Sequence, residues 1–147
     1  MPMQDFRRLD VWTRAHRFAT TVRRLTRGFV GIDSDFKDQL ADAAESIPSN
    51  IVEGCGAATN KEFARYLDMS IKSAFEVDYR LELARDYELI TEATWQEHAA
   101  EVVEIRKMTY GLRRTVLARD PLPPKRKRRM PKRKPGEEED AKDEEGA

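Results

Sequence analysis

The 147-residue sequence predicts an all-α protein: an antiparallel, up-down four-helix bundle over residues 1–120, followed by a disordered charged tail over 121–147. Three observations lead to this expectation. Apolar residues recur at spacings of three and four through four successive segments, which gathers them on one face of a helix. Turn and cap residues separate the segments. No stretch alternates strictly between apolar and polar as a half-buried strand does, and no internal repeat suggests a different architecture. Apolar residues are 39% of the chain and charged residues 37%, so each helix has to be amphipathic.

The first helix reads from residue 7 to residue 29, with Leu9, Trp12, Ala15, Ala19, Val22, Thr26 and Phe29 as its buried stripe. Gly28 and Gly31 flank its end. Asp33-Ser34-Asp35 then offers N-cap residues for a second helix, and Asp35 and Asp38 suit the positive end of its dipole. The second stripe is Phe36, Leu40, Ala43 or Ala44, Ile47 and Ile51. Pro48 falls inside it, removes one intrahelical hydrogen bond and crowds the Ala44 carbonyl, so a kink is expected. Gly54 and Gly56 are expected to end the helix, glycine being free to take the left-handed position after the cap.

Thr59-Asn60-Lys61-Glu62 has capping-box spacing and opens a third helix that runs to about residue 88. Its stripe is Phe63, Leu67, Ser70, Ala74, Val77, Leu81 and Ala84. Thr94-Trp95-Gln96-Glu97 repeats that spacing and predicts the start of a fourth helix. The stripe there is Trp95, Val102, Ile105, Thr109, Leu112 and Val116, fading near Asp120-Pro121. The short connections favour antiparallel neighbours. The remaining segment holds five of the seven prolines, and Leu122 and Met130 are its only sizeable apolar residues. It cannot bury enough apolar surface to offset chain entropy.

Several function classes lack support in these residues. No apolar run approaches the roughly 18 residues of a membrane span, and residues 1–6 show no signal-peptide pattern. Cys55 stands alone, which excludes an intrachain disulfide framework and makes the cytoplasm the expected compartment. A di-metal bundle site needs Glu-x-x-His pairs, and neither His16 nor His98 has a Glu three residues before it, so no metal or cofactor is expected. Cys55 at a helix C-terminus lacks an activating base. His16 at the edge of an apolar face reads as a packing residue. Gly54-x-Gly56 follows a helix and not a strand, so it is no phosphate loop. No catalytic residue is assigned, and the chain reads as a non-enzyme.

Charge placement is more informative. The formal net charge is zero, yet residues 1–120 hold 18 Lys/Arg against 20 Asp/Glu, and residues 1–32 hold seven Arg against Asp5 and Asp10. Arg7, Arg14, Arg17 and Arg24 follow one strip of the first helix, with Arg23 and Arg27 on another flank. In the tail, Lys125, Arg126, Lys127, Arg128, Arg129, Lys132, Arg133 and Lys134 give eight positive charges, followed by seven acids and one lysine over 137–145. Two readings stand for each grouping: the helix arginines either pair with acids of neighbouring helices or track phosphates, and the tail either solubilises the chain or binds phosphates with affinity that falls steeply with salt. The tail has no interleaved aromatics for base stacking. Its acidic end could fold back on the basic run and compete with nucleic acid.

The third helix also carries Met69, Glu76, Leu83 and Tyr87 opposite its core stripe. Apolar groups on two sides of a helix imply packing on two sides. This row predicts a self-association surface.

Phe6-x-x-Leu9-x-Val11-Trp12, the run from Gln39-Leu40 through Ser46-Ile47-Pro48-Ser49-Asn50-Ile51-Val52-Glu53-Gly54, Glu62-Phe63-x-Arg65-Tyr66-Leu67 and Ser73-Ala74-x-Glu76-Val77 together resemble a bacterial family. It is the four-helix-bundle family of proteins encoded by intervening sequences in 23S ribosomal RNA genes. The resemblance covers about residues 6–117. It implies a left-handed up-down bundle that assembles into rings, often pentamers. It also implies kinship with the accessory variability determinant proteins of diversity-generating retroelements, which are basic pentamers that bind nucleic acid and a reverse transcriptase. This chain's body, with a net charge of −2, departs from that basic character. Asn50, Glu53 and Glu76 match the family motif, and Asn50 and Glu53, beside Gly54, are expected to fix the turn into the third helix through side-chain-to-backbone hydrogen bonds.

The resulting expectation is a non-enzymatic homo-oligomeric scaffold that binds RNA or DNA, with a pentamer as the form the resemblance implies. Two other expectations stand beside it: a protein-interaction module that docks a reverse transcriptase or another enzyme, and a small enzyme.

Overall fold

The computed structural model describes residues 4–119. The tail's predicted disorder and its cations therefore lie outside the described residues. Those residues form a short 3-10 turn, Phe6–Arg8, and four α-helices: α1 (Asp10–Arg27), α2 (Ser34–Cys55), α3 (Asn60–Asp86) and α4 (Glu92–Ala118).

Three of the four helices begin where a side chain satisfies a free backbone N–H group. Asp33 accepts from the Phe36 N–H at 3.0 Å to open α2, and Thr59 accepts from the Glu62 N–H at 3.1 Å to open α3. Glu62 reaches back to the Ala58 N–H at 3.3 Å, close to the reciprocal pair that the capping-box spacing implies. For α4 the predicted start is corrected. The cap is Thr91, which accepts from the Thr94 N–H at 3.1 Å, and the helix opens at Glu92. Thr94 is thus inside the first turn. The start of α1 is likewise later than expected, because Leu9 is extended (φ −85°, ψ 120°) and separates the 3-10 turn from the helix.

Helix ends also differ from expectation. Gly56 has φ −86° and is not left-handed. It ends α2 through its N–H to the Val52 and Glu53 carbonyls, at 3.3 and 3.1 Å. The left-handed residues lie elsewhere: Gly31, between α1 and α2, has φ 78°, and Glu88, after α3, has φ 59°. There the Leu89 N–H reaches the Ala84 carbonyl and the Glu88 N–H reaches that of Arg85, both at 2.9 Å. This is a Schellman pattern with glutamate at the position glycine usually holds.

The apolar stripes meet in one core. Val22, Leu40, Ile47, Ile51, Leu67, Val77, Leu81, Val102, Ile105 and Val116 are completely buried, and each contributes about 1.5–3 kcal/mol through removal from water. The sequence assigned Trp12, Trp95 and Leu112 to the stripes, but they are only partly buried at the core's margin. Cross-contacts make every neighbouring pair antiparallel. Gln39 meets Arg80 while Gly54 meets Phe63. Asp78 meets Arg106 while Asp68 meets Arg113. Arg14 meets Glu101 while Phe18 lies beside His98. The chain is an up-down four-helix bundle.

Gly54 marks a close approach of α2 and α3. A Cβ there would lie 3.1 Å from Phe63 Cδ1 and 3.3 Å from the Phe63 carbonyl oxygen. Pro48 is buried within α2. The two carbonyls that precede it each accept a side-chain donor: Asn50 Nδ2 donates to Ser46 O at 2.8 Å, and Ser70 Oγ of α3 donates to Ile47 O at 2.9 Å. Ser70, a polar member of the α3 stripe, is thereby satisfied in the core.

Candidate nucleic-acid interface

The α1 arginines divide into two groups once the helices pack. Arg14 turns toward α4 and grips Glu101 with two hydrogen bonds, Nε at 3.0 Å and Nη2 at 2.9 Å. Arg23 turns toward α2, where Nε donates to Glu45 at 3.0 Å and Nη2 to Asp42 at 3.0 Å. Hydrogen bonding to these carboxylates raises both guanidinium pKa values further above their ordinary range. Paired in this way, Arg14 and Arg23 serve as clasps between helices. The expectation that they line a free phosphate-tracking surface is therefore corrected. The spacing of seven, three and seven puts Arg14 on the outer strip, but its position is turned just far enough toward α4 to find an acid.

Arg17, Arg24 and Arg27 remain on the outer face of α1, exposed and without an ion pair among the described residues. Arg17 and Arg24 are two turns apart on one stripe, and Arg27 follows one turn later. Thr20 and Thr21 lie between them, their hydroxyls donating to the Arg17 carbonyl at 2.8 and 2.9 Å. Arg7 sits on the 3-10 turn, its guanidinium 4.4 Å over the Phe6 ring. Lys125, Arg126, Lys127, Arg128, Arg129, Lys132, Arg133 and Lys134 lie outside the described residues.

The second row of α3 is partly as expected. Met69 and Tyr87 are 43% and 53% exposed, while Leu83 packs against the core and is only partly exposed. Tyr87 meets the Phe36 ring edge-on at 5.6 Å, on the α2 side of the helix. Glu76 pairs with Arg80 at 3.0 Å. Among the motif residues, Asn50 bonds within α2 instead of reaching the next turn, and the exposed Glu53 makes no side-chain hydrogen bond among the described residues. Neither fixes the α2–α3 connection as expected. Gly54 serves that junction by its lack of a side chain.

Sequence reasoning missed Phe75, Tyr79 and Tyr110, large side chains exposed on α3 and α4. A signal for them exists, since Phe75 and Tyr79 are four residues apart and off the core stripe. Met69, Leu83 and Tyr87 form the longer row along the helix and so draw the self-association reading first.

Other candidate chemistry is quiet. Cys55 is buried and its thiol is pushed up to about 11, chiefly by desolvation. His16 is exposed and stacks on Trp12 at 4.9 Å, so it is a surface residue and not an interior one. His98 is buried, with Nδ1 2.8 Å from the Thr94 carbonyl oxygen. Among the described residues there is no group of three or more His, Cys, Asp or Glu placed to hold a metal ion, and no helix is long and apolar enough to cross a membrane.

Comparison with known proteins agrees with this architecture. No curated protein matches the sequence. A protein of unknown function from the S23 ribosomal protein family of Bacteroides thetaiotaomicron has a similar crystal structure, with a TM-score of 0.66 at 26% identity. The match covers 69% of this chain and 96% of that one. The family model described as 23S rRNA-intervening sequence protein matches residues 7–111. The chain belongs to the 23S rRNA-intervening sequence protein family.

Proposed function

We propose that this chain is a non-enzymatic, self-associating helical scaffold that binds RNA or DNA electrostatically. The observation that carries the reading is the row of Arg17, Arg24 and Arg27 on α1, exposed and without an ion pair among the described residues while Arg14 and Arg23 are engaged by carboxylates. A guanidinium left in water is available to a phosphate, and its planar fork suits two phosphate oxygens at once. The sequence adds eight cations over residues 125–134. Together they form two basic elements, one on the bundle and one on its extension. Self-association is assigned to the α3 row of Met69, Glu76 and Tyr87, with Leu83 at its base. The ring assembly implied by the family resemblance is the form we expect. The cytoplasmic assignment rests on the single, buried Cys55.

The test compares full-length protein with a variant ending at residue 119 in a salt-titrated anisotropy assay on labelled RNA and DNA. The reading expects both to bind, the full-length protein more tightly and with the steeper salt dependence. Absent or salt-insensitive binding in both would remove it and leave the alternative, a module that docks a reverse transcriptase or another protein. For self-association, light scattering should give a particle larger than one chain, reduced in Met69→Glu/Tyr87→Glu.

A further inference from the structure

The outward face shared by α3 and α4 sets aromatic rings among cations. Phe75, Tyr79 and Tyr110 are 51%, 61% and 40% exposed. Phe75 and Tyr79 are one turn apart on α3. The Arg106 guanidinium lies 4.2 Å over the Phe75 ring, which ties that ring to the α4 side of α3. Tyr110 is one turn along α4 from Arg106, in the direction of Arg113, so it continues the row. Tyr87 lies toward the opposite, α2 side, where it meets Phe36, so the row turns away from that end of the surface assigned to self-association and adjoins it at Leu83, one turn from Tyr79.

The charge on this face favours a polyanion. Its seam acids are neutralised in place, Asp78 by Arg106 at 3.4 Å and Asp68 by Arg113 at 2.6 Å. Lys61, Arg65, Lys72, Lys107 and Arg114 are exposed and form no ion pair among the described residues. Where the row ends, a groove of about 620 Å³ brings Lys61, Arg65 and Arg113 together with Glu62, Asp68 and Leu117, three cations against two acids, one of which Arg113 already engages. The chain continues into its basic segment from that same end of α4.

A duplex keeps its bases paired and stacked, so exposed rings offer it nothing beyond charge. An unpaired strand can lay its bases on such rings while lysines and arginines follow its phosphates. We propose that the α3–α4 face binds single-stranded RNA or DNA by stacking bases on Phe75, Tyr79 and Tyr110. This rests on the nucleic-acid reading above and adds the substrate class to it.

The experiment uses the full chain with a labelled uridine oligomer, a thymidine oligomer and a duplex of equal length. Tyr79→Ala and Tyr110→Ala each weaken single-strand binding by about tenfold, consistent with the usual worth of one stacked base. Both leave duplex binding and the salt dependence unchanged, and Tyr79→Phe keeps wild-type affinity. Circular dichroism melts confirm that the variants fold. In Tyr79→Trp, the oligomers quench the added indole emission above the Trp12 and Trp95 background, and an unquenched signal under saturating strand would overturn the proposal. Unchanged single-strand affinity in the alanine variants would overturn it while leaving electrostatic binding intact, whereas absence of all binding would remove both. A smaller particle by light scattering, with single-strand affinity unchanged, would assign the face to a second copy of the chain and overturn the proposal as well.

Discussion

Single atoms decide the outcome at a few positions in this bundle. At Gly54 a methyl group would crowd Phe63 of α3, which would have to give by a few tenths of an ångström. Gly54→Ala should therefore destabilise by about 1 kcal/mol, an overpacking cost of about 1–3 kcal/mol less the roughly 0.5–1 kcal/mol that alanine contributes over glycine inside a helix, measured as a lower midpoint in urea unfolding with m unchanged. Glu88 behaves oppositely. It holds a left-handed conformation at φ 59° on the surface, which costs a side-chain-bearing residue about 1–2 kcal/mol. Glu88→Gly should raise stability by about 1 kcal/mol, the relief of that strain less the entropy glycine loses on folding, seen as a higher thermal midpoint. Cys55 supplies a pH prediction. Its thiol ordinarily titrates near 9.0 and is pushed up to about 11 in the fold. The folded state thus keeps a proton that the unfolded chain releases, so this contribution to stability is complete below about pH 9 and is lost as pH rises toward 11. Chemical denaturation repeated across that window should show the decline, and Cys55→Ala should flatten it.

At the scale of the helices, the apolar periodicity carries most of the information. Every residue assigned to the stripes of α2 and α3 is buried, Phe36, Leu40, Ala43, Ala44, Ile47 and Ile51, and Phe63 through Ala84 at their spacings, while Ala41, Ala64 and Ile71 are buried beside them unassigned. Boundaries are less legible, because two threonines three residues apart compete to cap α4, and Thr91 wins by accepting from the Thr94 N–H. The candidate interface is legible only by residue type. Spacing along α1 puts Arg14 and Arg17 near one strip, but it cannot tell which of them finds Glu101 on another helix. That depends on how α1 and α4 are rotated against one another, which is a property of the packed core. The motif residues give the same lesson. Asn50 is expected at a turn, yet Ser46, two residues before Pro48, presents it with an accepting carbonyl one turn back within α2. Substituting Asn50→Ala should cost about 1 kcal/mol through loss of that hydrogen bond and leave nucleic-acid binding unchanged, a contrast that unfolding and anisotropy measurements together can register.

Across the whole molecule, acids and bases are partitioned between holding the bundle together and facing outward. Arg14, Arg23, Arg80, Arg106 and Arg113 all engage carboxylates, four of them on a neighbouring helix and Arg80 on its own. Arg17, Arg24 and Arg27 do not among the described residues, and they make the polyanion reading specific to identified positions. The most direct measurement is the slope of log binding constant against log salt concentration for full-length protein on one labelled RNA. Arg17→Gln/Arg24→Gln/Arg27→Gln should lower affinity and make the slope shallower by about 0.7–0.9 for each phosphate that is no longer neutralised. Arg14→Gln, which removes a cation already held by Glu101, should leave the slope unchanged. Equal slopes for the wild type and the triple variant would contradict the account.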